Sequence, residues 1–306
     1  METVLVTGSA GFIGGHLTDK LLSKYMVIGV DNLLTGLRST WDCHISNKNF
    51  IPAPYDINSN KLDEVFRNNK IKYVFHLAAK PGVAESVNNP VLSDITNING
   101  TVRLLELSRK YGIERFVFSS SSSVYGGSSS LSNSEDDLPD PKSPYALQKL
   151  TGEGYCKLFS NQMNLDTVSL RYFNVIGERQ RADSAYAAVL PAFSVCKSKN
   201  ISPIIFGDGL QSRDFCPVES VVDANILAAE HKNILNGEVF NVARGQSISL
   251  LHLCEILDLK PPIFKDKRQG DVKHSLANID KIRSTLGYIP VDNLEKEILK
   301  VSFYYR

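Results

Sequence analysis

Tyr145 and Lys149 lie four residues apart, with the types and spacing that proton transfer needs. On a helix such a pair shares one face. A phenol ordinarily gives up its proton only near pH ~10. An ammonium beside it favours the phenolate, so Tyr145 could act as a general base near neutral pH. Alone, this spacing also describes an ordinary surface-helix pair. The weight comes from upstream, where the apolar run Phe116-Val117-Phe118 ends in five serines, Ser119–Ser123. A serine hydroxyl at a strand tip can bond a reacting oxygen and share its proton with Tyr145. In an ordinary loop the same serines would bond their own backbone.

The second constellation is Gly8-Ser9-Ala10-Gly11-Phe12-Ile13-Gly14, which follows an apolar run and opens an amphipathic one. Gly8 permits the tight turn, Gly11 lets backbone approach a diphosphate, and Gly14 allows close packing of helix on strand. The helix N-terminus then offers free N–H groups to the phosphates. Asp31 ends the next strand, 17 positions past Gly14, where a carboxylate grips a ribose diol. It would repel a 2′-phosphate, which favours NAD over NADP, although Arg38 nearby keeps NADP open. The positive nicotinamide ring of NAD⁺ would add to the pull on the Tyr145 proton.

The elements that position these residues alternate. Strands are expected at Val4–Thr7, Met26–Val30, Phe50–Pro54, Tyr73–Leu77, Arg115–Ser119 and Thr167–Tyr172. Helices are expected at Phe12–Lys24, Lys61–Asn68, Val102–Tyr111 and Tyr145–Phe159. Such alternation means an α/β fold, a Rossmann-type doubly wound parallel sheet with helices on both faces. After Asn174 the rhythm breaks. Helices at Ala187–Lys197 and Val218–His231, and strands at Pro203–Phe206 and Val239–Val242, are spaced by polar and Pro-rich stretches. The expected division is residues 1–173, with 218–245 returning, as the dinucleotide domain. Residues 174–217 and 246–306 then form a smaller C-terminal substrate-binding lobe. The later part of Ser119–Ser134 reads as a flexible linker on composition alone.

Composition narrows the class. Lys and Arg total 34 against 33 acidic residues, which is not the basic excess of a nucleic-acid binder. Five scattered cysteines without a CxxC pair read as free thiols in a reducing compartment, and no metal-ligand spacing occurs. No signal peptide or membrane span is read, so a soluble cytoplasmic protein is expected.

The motifs together resemble the extended short-chain dehydrogenase/reductase family over nearly the whole chain. The matching pieces are TGSAGFIG (Thr7–Gly14), DNLLTG (Asp31–Gly36), HLAA (His76–Ala79), NINGT (Asn97–Thr101) and SSSSSVYG (Ser119–Gly126). They continue with SPYALQK (Ser143–Lys149), RYFNVIG (Arg171–Gly177), GDGLQSRDF (Gly207–Phe215) and RQGDVKHS (Arg268–Ser275). Within it the chain is most similar to nucleotide-sugar 4-epimerases. The resemblance implies Ser121 as catalytic serine, Tyr145 as base and Lys149 as its partner. For NAD it implies the glycine loop with Phe12 and Ile13, Asp31 and Asn32, Asp56 and Ile57 at the adenine, and Ala78, Ala79, Lys80 and Tyr172 along the cofactor. For a UDP-sugar it implies Asn174, Arg213 and Arg268 at the diphosphate and Asp271 at the uridine ribose. Gly82, Ser122, Ser123, Ala188, Val189 and Ser275 would lie around the sugar. A homodimer paired through Val102–Lys110 and Tyr145–Phe159 is implied as well.

Related 4,6-dehydratases carry an Asp-Glu pair immediately after the position of Ser121. This chain has Ser122 and Ser123, so a dehydration would lack its proton donor. Ser275 stands where a bulky residue restricts relatives to plain hexoses, which points to UDP-GlcNAc/UDP-GalNAc. Ala79-Lys80-Pro81-Gly82-Val83 is closer to glucuronate epimerases. UDP-glucuronate and UDP-glucose are therefore the alternatives, followed by a dehydratase, a carbonyl reductase and a non-enzymatic NAD-binding regulator.

Overall fold

The computed structural model describes residues 1–127, 132–180, 189–267 and 272–305. Its centre is a sheet of seven parallel strands: β1 (Thr3–Thr7), β2 (Met26–Val30), β3 (Phe50–Ala53), β4 (Ile71–His76), β5 (Arg115–Ser121), β6 (Thr167–Tyr172) and β7 (Glu238–Val242). Side by side they run β3-β2-β1-β4-β5-β6-β7. The returning strand expected near Val239 is thus an edge of this sheet.

Alternation along each strand builds two cores. On β1, Val4 and Val6 face one side and Leu5 the other, all fully buried. Helices α1 (Phe12–Leu21) and α4 (Val218–Glu230) cover the first side with Leu17, Leu21, Val221 and Ala224. Helices α2 (Thr101–Lys110) and α3 (Pro144–Met163) cover the second with Leu104, Leu105, Cys156 and Phe159. Strands covered on both faces lose the polar alternation of a half-exposed sheet, which is why they read as continuous apolar runs. Each fully buried Val or Leu contributes about 1.5–3 kcal/mol.

A third core lies apart from the sheet. Leu190 and Phe193 of helix Val189–Ser198 meet Leu253 of helix Leu250–Ile256 and Ile298 and Val301 of helix Leu294–Tyr304. Beside it, strand Ser212–Arg213 lies between Ile248–Ser249 and His274–Ser275. All five cysteines are free thiols. No described helix is long and apolar enough to cross a membrane.

Several boundaries differ from expectation. Helix α1 stops at Leu21, where the Lys24 and Tyr25 N–H groups share the Leu21 carbonyl, and the Tyr25 ring is buried. The later part of the serine-rich run, a linker on composition, is tied into the fold at Asn133. Ser119–Ser121 complete β5, Ser122–Tyr125 form one 3₁₀ turn, and buried Asn133 bridges Ala277. Residues 128–131 lie outside the described residues. Residues 83–100, given no element from sequence, form helices Val83–Asn88 and Pro90–Asp94 and a π-helical turn, Ile95–Gly100.

Buried Arg115 joins β5 to the end of α4. Its guanidinium donates to the carbonyls of Ala228 (2.9 Å), His231 (2.6 Å) and Asn233 (2.7 Å) and pairs with Asp166 at 2.6 Å. A cation there satisfies the orphaned carbonyls of the helix C-terminus. Arg115→Met strands those carbonyls and the Asp166 charge, so urea unfolding of the variant should show a loss of about 3–5 kcal/mol. A loss below about 1 kcal/mol, the worth of an exposed pair, would mean that the site relaxes around the change.

Candidate active site

The strand order reverses between β1 and β4, and in a sheet of this kind a crevice opens at that point, beyond the carboxyl ends of the strands. A cleft of about 280 Å³ lies there. It brings together the glycine loop, Asp31 and Asn32 after β2, Asp56 and Ile57 after β3, Ala78, Ala79 and Lys80 after β4, Tyr145 and Lys149 from α3, and Tyr172 from β6. Every residue expected at the cofactor therefore lines one cavity, alongside Tyr55, Thr96, Ser119 and Ser120.

The glycine turn is tight for definite reasons. Gly8 has φ +71°, and a Cβ on it would sit 2.8 Å from the Ala78 nitrogen. A Cβ on Gly14 would stand 2.1 Å from the Gly8 carbonyl oxygen. Gly11 caps α1 without a side-chain bond, so the first N–H groups of the helix stay free for an anion. Asp31 is 8% exposed and accepts one backbone N–H on each oxygen, from Ala10 (3.0 Å) and Leu33 (2.8 Å). Burial nonetheless raises its carboxyl above the usual range. Asn32 donates to Asp56 at 2.7 Å, joining the ends of β2 and β3. A dinucleotide fits this donor set, with the diphosphate against the bare helix end and a ribose diol against Asp31.

The floor of the cleft is held by neutral groups. The Ala78 N–H donates to Thr7 Oγ1 (3.1 Å), which contacts His76 Nδ1 (2.8 Å), and His76 Nε2 contacts Thr101 Oγ1 (2.9 Å). Thr101 donates onward to the Asn97 carbonyl, so the consistent tautomer carries the proton on Nε2. Burial drives His76 down to about 3, and it stays uncharged. Asn97, in the π-helical turn, clamps the Lys80 backbone at both its N–H (2.8 Å) and its carbonyl (3.1 Å). Gln148 of α3 holds the Asn97 amide at 2.7 Å.

Helix α3 presents Tyr145 and Lys149. It starts because Ser143 caps the Ala146 N–H (3.2 Å) and Pro144 takes the first helical position, where no N–H is needed. Ser121, at the tip of β5, accepts the Ser123 N–H at 3.2 Å and stands beside the Tyr145 phenol. Lys149 Nζ donates to the Ser119 carbonyl (2.7 Å) and lies 5.9 Å from the Tyr145 ring centre. In the chain without its cofactor, burial pushes the Tyr145 pKa up to about 12, with Ser121 opposing. Burial also pulls Lys149 down to about 8, with Cys156 and Glu153 opposing.

The residues expected at a sugar nucleotide lie elsewhere. Ser275 pairs in register with Arg213, and Asn174, at φ +27°, donates to Ser275 Oγ at 3.1 Å. Arg213 also donates to the Ser212 carbonyl. Gly82, at φ +118°, precedes helix Val83–Asn88. Ser122 and Ser123 form the 3₁₀ turn, where Ser123 Oγ is buried without a hydrogen-bond partner among the described residues. Val189 opens its helix and packs on the third core. Ala188, Arg268 and Asp271 lie outside the described residues. Among the described residues no group of His, Cys, Asp and Glu could hold a metal ion.

Sequence reasoning missed Asn97 and Asp214. Fully buried Asp214 accepts from the N–H groups of Arg244 (3.0 Å), Gly245 (3.0 Å) and Ala277 (3.3 Å), fastening three segments around Arg213 and Ser275. Burial raises its carboxyl to about 6. The available signal was a carboxylate next to Arg213 at the head of a short apolar stretch, Phe215–Val218.

Fold and cleft define a dinucleotide-dependent enzyme. Residues 4–243 match the NAD dependent epimerase/dehydratase family. The chain is 40% identical over 306 residues to a putative UDP-glucose 4-epimerase of Methanocaldococcus jannaschii, covering 97% of this chain and 96% of that one. A UDP-N-acetylglucosamine 4-epimerase from Methanobrevibacter ruminantium, solved with UDP-N-acetylmuramic acid, superposes with TM-score 0.93 at 36% identity, covering 99% and 98% of the two chains. A UDP-glucuronic acid 4-epimerase from Bacillus cereus, solved with UDP-glucuronic acid and NAD, gives 0.91 at 32% identity, with the same coverage. The chain belongs to the NAD dependent epimerase/dehydratase family.

Proposed function

We propose that this NAD-dependent isomerase inverts C4 of a UDP-linked sugar, with UDP-GlcNAc and UDP-GalNAc as the pair it interconverts. The observation that carries the reading is that Tyr145 and Lys149 line the cofactor cleft with Ser121 beside the Tyr145 phenol, and that serines and not carboxylic acids come next along the chain. NAD, which the glycine loop and Asp31 would hold, would supply the hydride chemistry at C4. Tyr145 holds and moves the proton of the 4-hydroxyl, and Ser121 bonds the same oxygen and Tyr145. Lys149 places a positive charge behind the phenol. The lobe of residues 174–217 and 246–306 grips the nucleotide through Asn174 and Arg213, leaving the hexose free to turn between its two faces.

The test is to incubate the purified protein with UDP-GlcNAc, without added cofactor, and follow the anomeric protons by NMR. A UDP-GalNAc signal that grows and stops at a mixture supports the reading, whereas a 4-keto-6-deoxy product replaces it with dehydration. UDP-glucuronate is the second reading, favoured by Lys80, which lines the cleft and forms no ion pair among the described residues.

The size of Ser275 supports the N-acetylated pair. Ser275→Tyr should cut turnover of UDP-GlcNAc by about 10–200-fold, the range a pocket misfit commands, and leave UDP-glucose within about threefold. An equal fall on both substrates would remove Ser275 from the sugar pocket. A homodimer is also read here, supported by exposed apolar side chains on neighbouring helices. They are Val91, Leu92 and Ile95 and, on α3, Leu147 and Leu158, with none from α2.

A further inference from the structure

Beneath the Tyr145–Lys149 pair lies a buried ion pair with no assigned role. Glu153 and Arg171 are 5% and 4% exposed. Arg171 grips Glu153 with a two-pronged fork, Nε to Oε1 at 2.9 Å and Nη2 to Oε2 at 2.8 Å. Ser120 Oγ donates to the same Oε1. Glu153 is one helical turn beyond Lys149 and two beyond Tyr145 on α3. Two consecutive residues of β5 are thereby tied to two stacked residues of one helix, and the next stands beside Tyr145. The Ser119 carbonyl takes Lys149, Ser120 takes Glu153, and Ser121 meets Tyr145. Arg171 closes the arrangement from the neighbouring strand, where it pairs in register with Ser120.

We propose that Glu153, held by Arg171, is a positioning residue for the reaction: it anchors the strand tip that presents Ser121 and supplies the fixed negative charge that keeps Lys149 an ammonium. It rests on Tyr145 and Lys149 as the proton-handling pair. A buried ion pair is weak evidence for stability, since an apolar pair of similar volume often serves as well. The pair here costs more than most, because Arg171 Nη1 is buried without an acceptor among the described residues. The charge argument is local. His76, which faces Lys149, is held neutral by burial. Cys156, on the same helix face, is pushed up by burial and stays a thiol. Tyr125, stacked 4.7 Å from the Arg171 guanidinium, is raised to about 12. Glu135 acts on Arg171 from further out. Cys156 and Glu153 both oppose burial at Lys149, which titrates near 8 even with that help, and of the two Glu153 is the carboxylate.

The test compares three NAD-loaded variants with the wild type. Glu153→Gln keeps the shape and can still accept from Ser120 but removes the charge. Glu153→Gln/Arg171→Met also removes the stranded cation, and carries the test should the single variant not fold. Glu153→Asp restores charge at shorter reach. The neutral variants should bind NAD and UDP-sugar with unchanged KM, lose about tenfold or more in kcat, and have the alkaline limb of the kcat–pH profile displaced to lower pH by about one unit. Glu153→Asp should return the limb toward its wild-type place. A lower Tm with unmoved kcat and limb would make the pair purely structural and overturn the proposal. Lysine-selective ¹³C NMR of Lys149 reads the same displacement without turnover. A wild type that epimerises no UDP-sugar therefore sinks the functional reading, while an unmoved Lys149 titration sinks this one.

Discussion

Tyr145→Phe should abolish turnover, with kcat lower by about 10³-fold, in the range a positioned acid–base group contributes. Its KM and NAD content should stay near wild type. The aromatic ring is retained, so its packing survives; only the phenol oxygen is lost. No other group in the cleft can replace it. Tyr172 also lines the cavity, but its hydroxyl is engaged by Ser119 (3.0 Å) and Asn225 (2.8 Å), and burial holds it near 12. Ser121 alone is a far weaker base. The phenol itself stands protonated at neutral pH, since burial raises it to about 12. Its proton leaves only when positive charge comes close, which makes the reaction depend on cofactor loading and on Lys149 being charged. NMR-followed turnover and calorimetric binding of UDP-sugar check the prediction together. Turnover within about tenfold of wild type would remove Tyr145 as the base.

The glycine turn, Asp31 and the Tyr145–Lys149 pair were legible in the sequence because each is a local device. A turn needs glycine at fixed offsets, a strand end delivers one carboxylate, and a helix puts residues four apart on one face. The parallel sheet was legible for a related reason, since strands covered on both faces have no polar positions to break their runs. What escaped reading is long-range. Asn97 clamps Lys80 across 17 residues, Asp214 reaches Ala277 across 63, and Ser120 meets Glu153 across 33. Buried polar groups must be paired, but the pairing leaves no periodicity. The partners show only as isolated charges within apolar surroundings, as Arg171 does in Ser169-Leu170-Arg171-Tyr172-Phe173. The burial of Tyr145 was not legible for the same reason. Sequence shows the lysine four residues on, whereas the burial that outweighs it comes from the whole fold.

The glycines allow a sharper separation of folding from binding. Gly14→Ala should lose both cofactor and stability. Its added carbon would lie 2.1 Å from the Gly8 oxygen, 2.8 Å from the Gly8 carbonyl carbon and 3.0 Å from Ser9 Cα. All three are backbone atoms of the turn, so nothing flexible can yield, and the start of α1 must move away from β1. Forced overpacking of this kind costs about 1–3 kcal/mol and occasionally more; with backbone on both sides the upper end is expected. Gly11→Ala is the contrast. Its added carbon meets only the Gly8 oxygen, at 3.1 Å, which a shift of a few tenths of an ångström relieves. The Tm of the NAD-free protein should therefore stay within a few degrees of wild type. The methyl would still occupy the face where backbone must approach the diphosphate, so NAD affinity should fall by about tenfold or more, as a lost contact of about 1.4 kcal/mol requires. Thermal unfolding of the stripped proteins, paired with NAD titration, separates the two effects. If Gly11→Ala bound NAD as tightly as wild type, the diphosphate would not pass over Gly11, and the bare N-terminus of α1 would lose its place in the cofactor site.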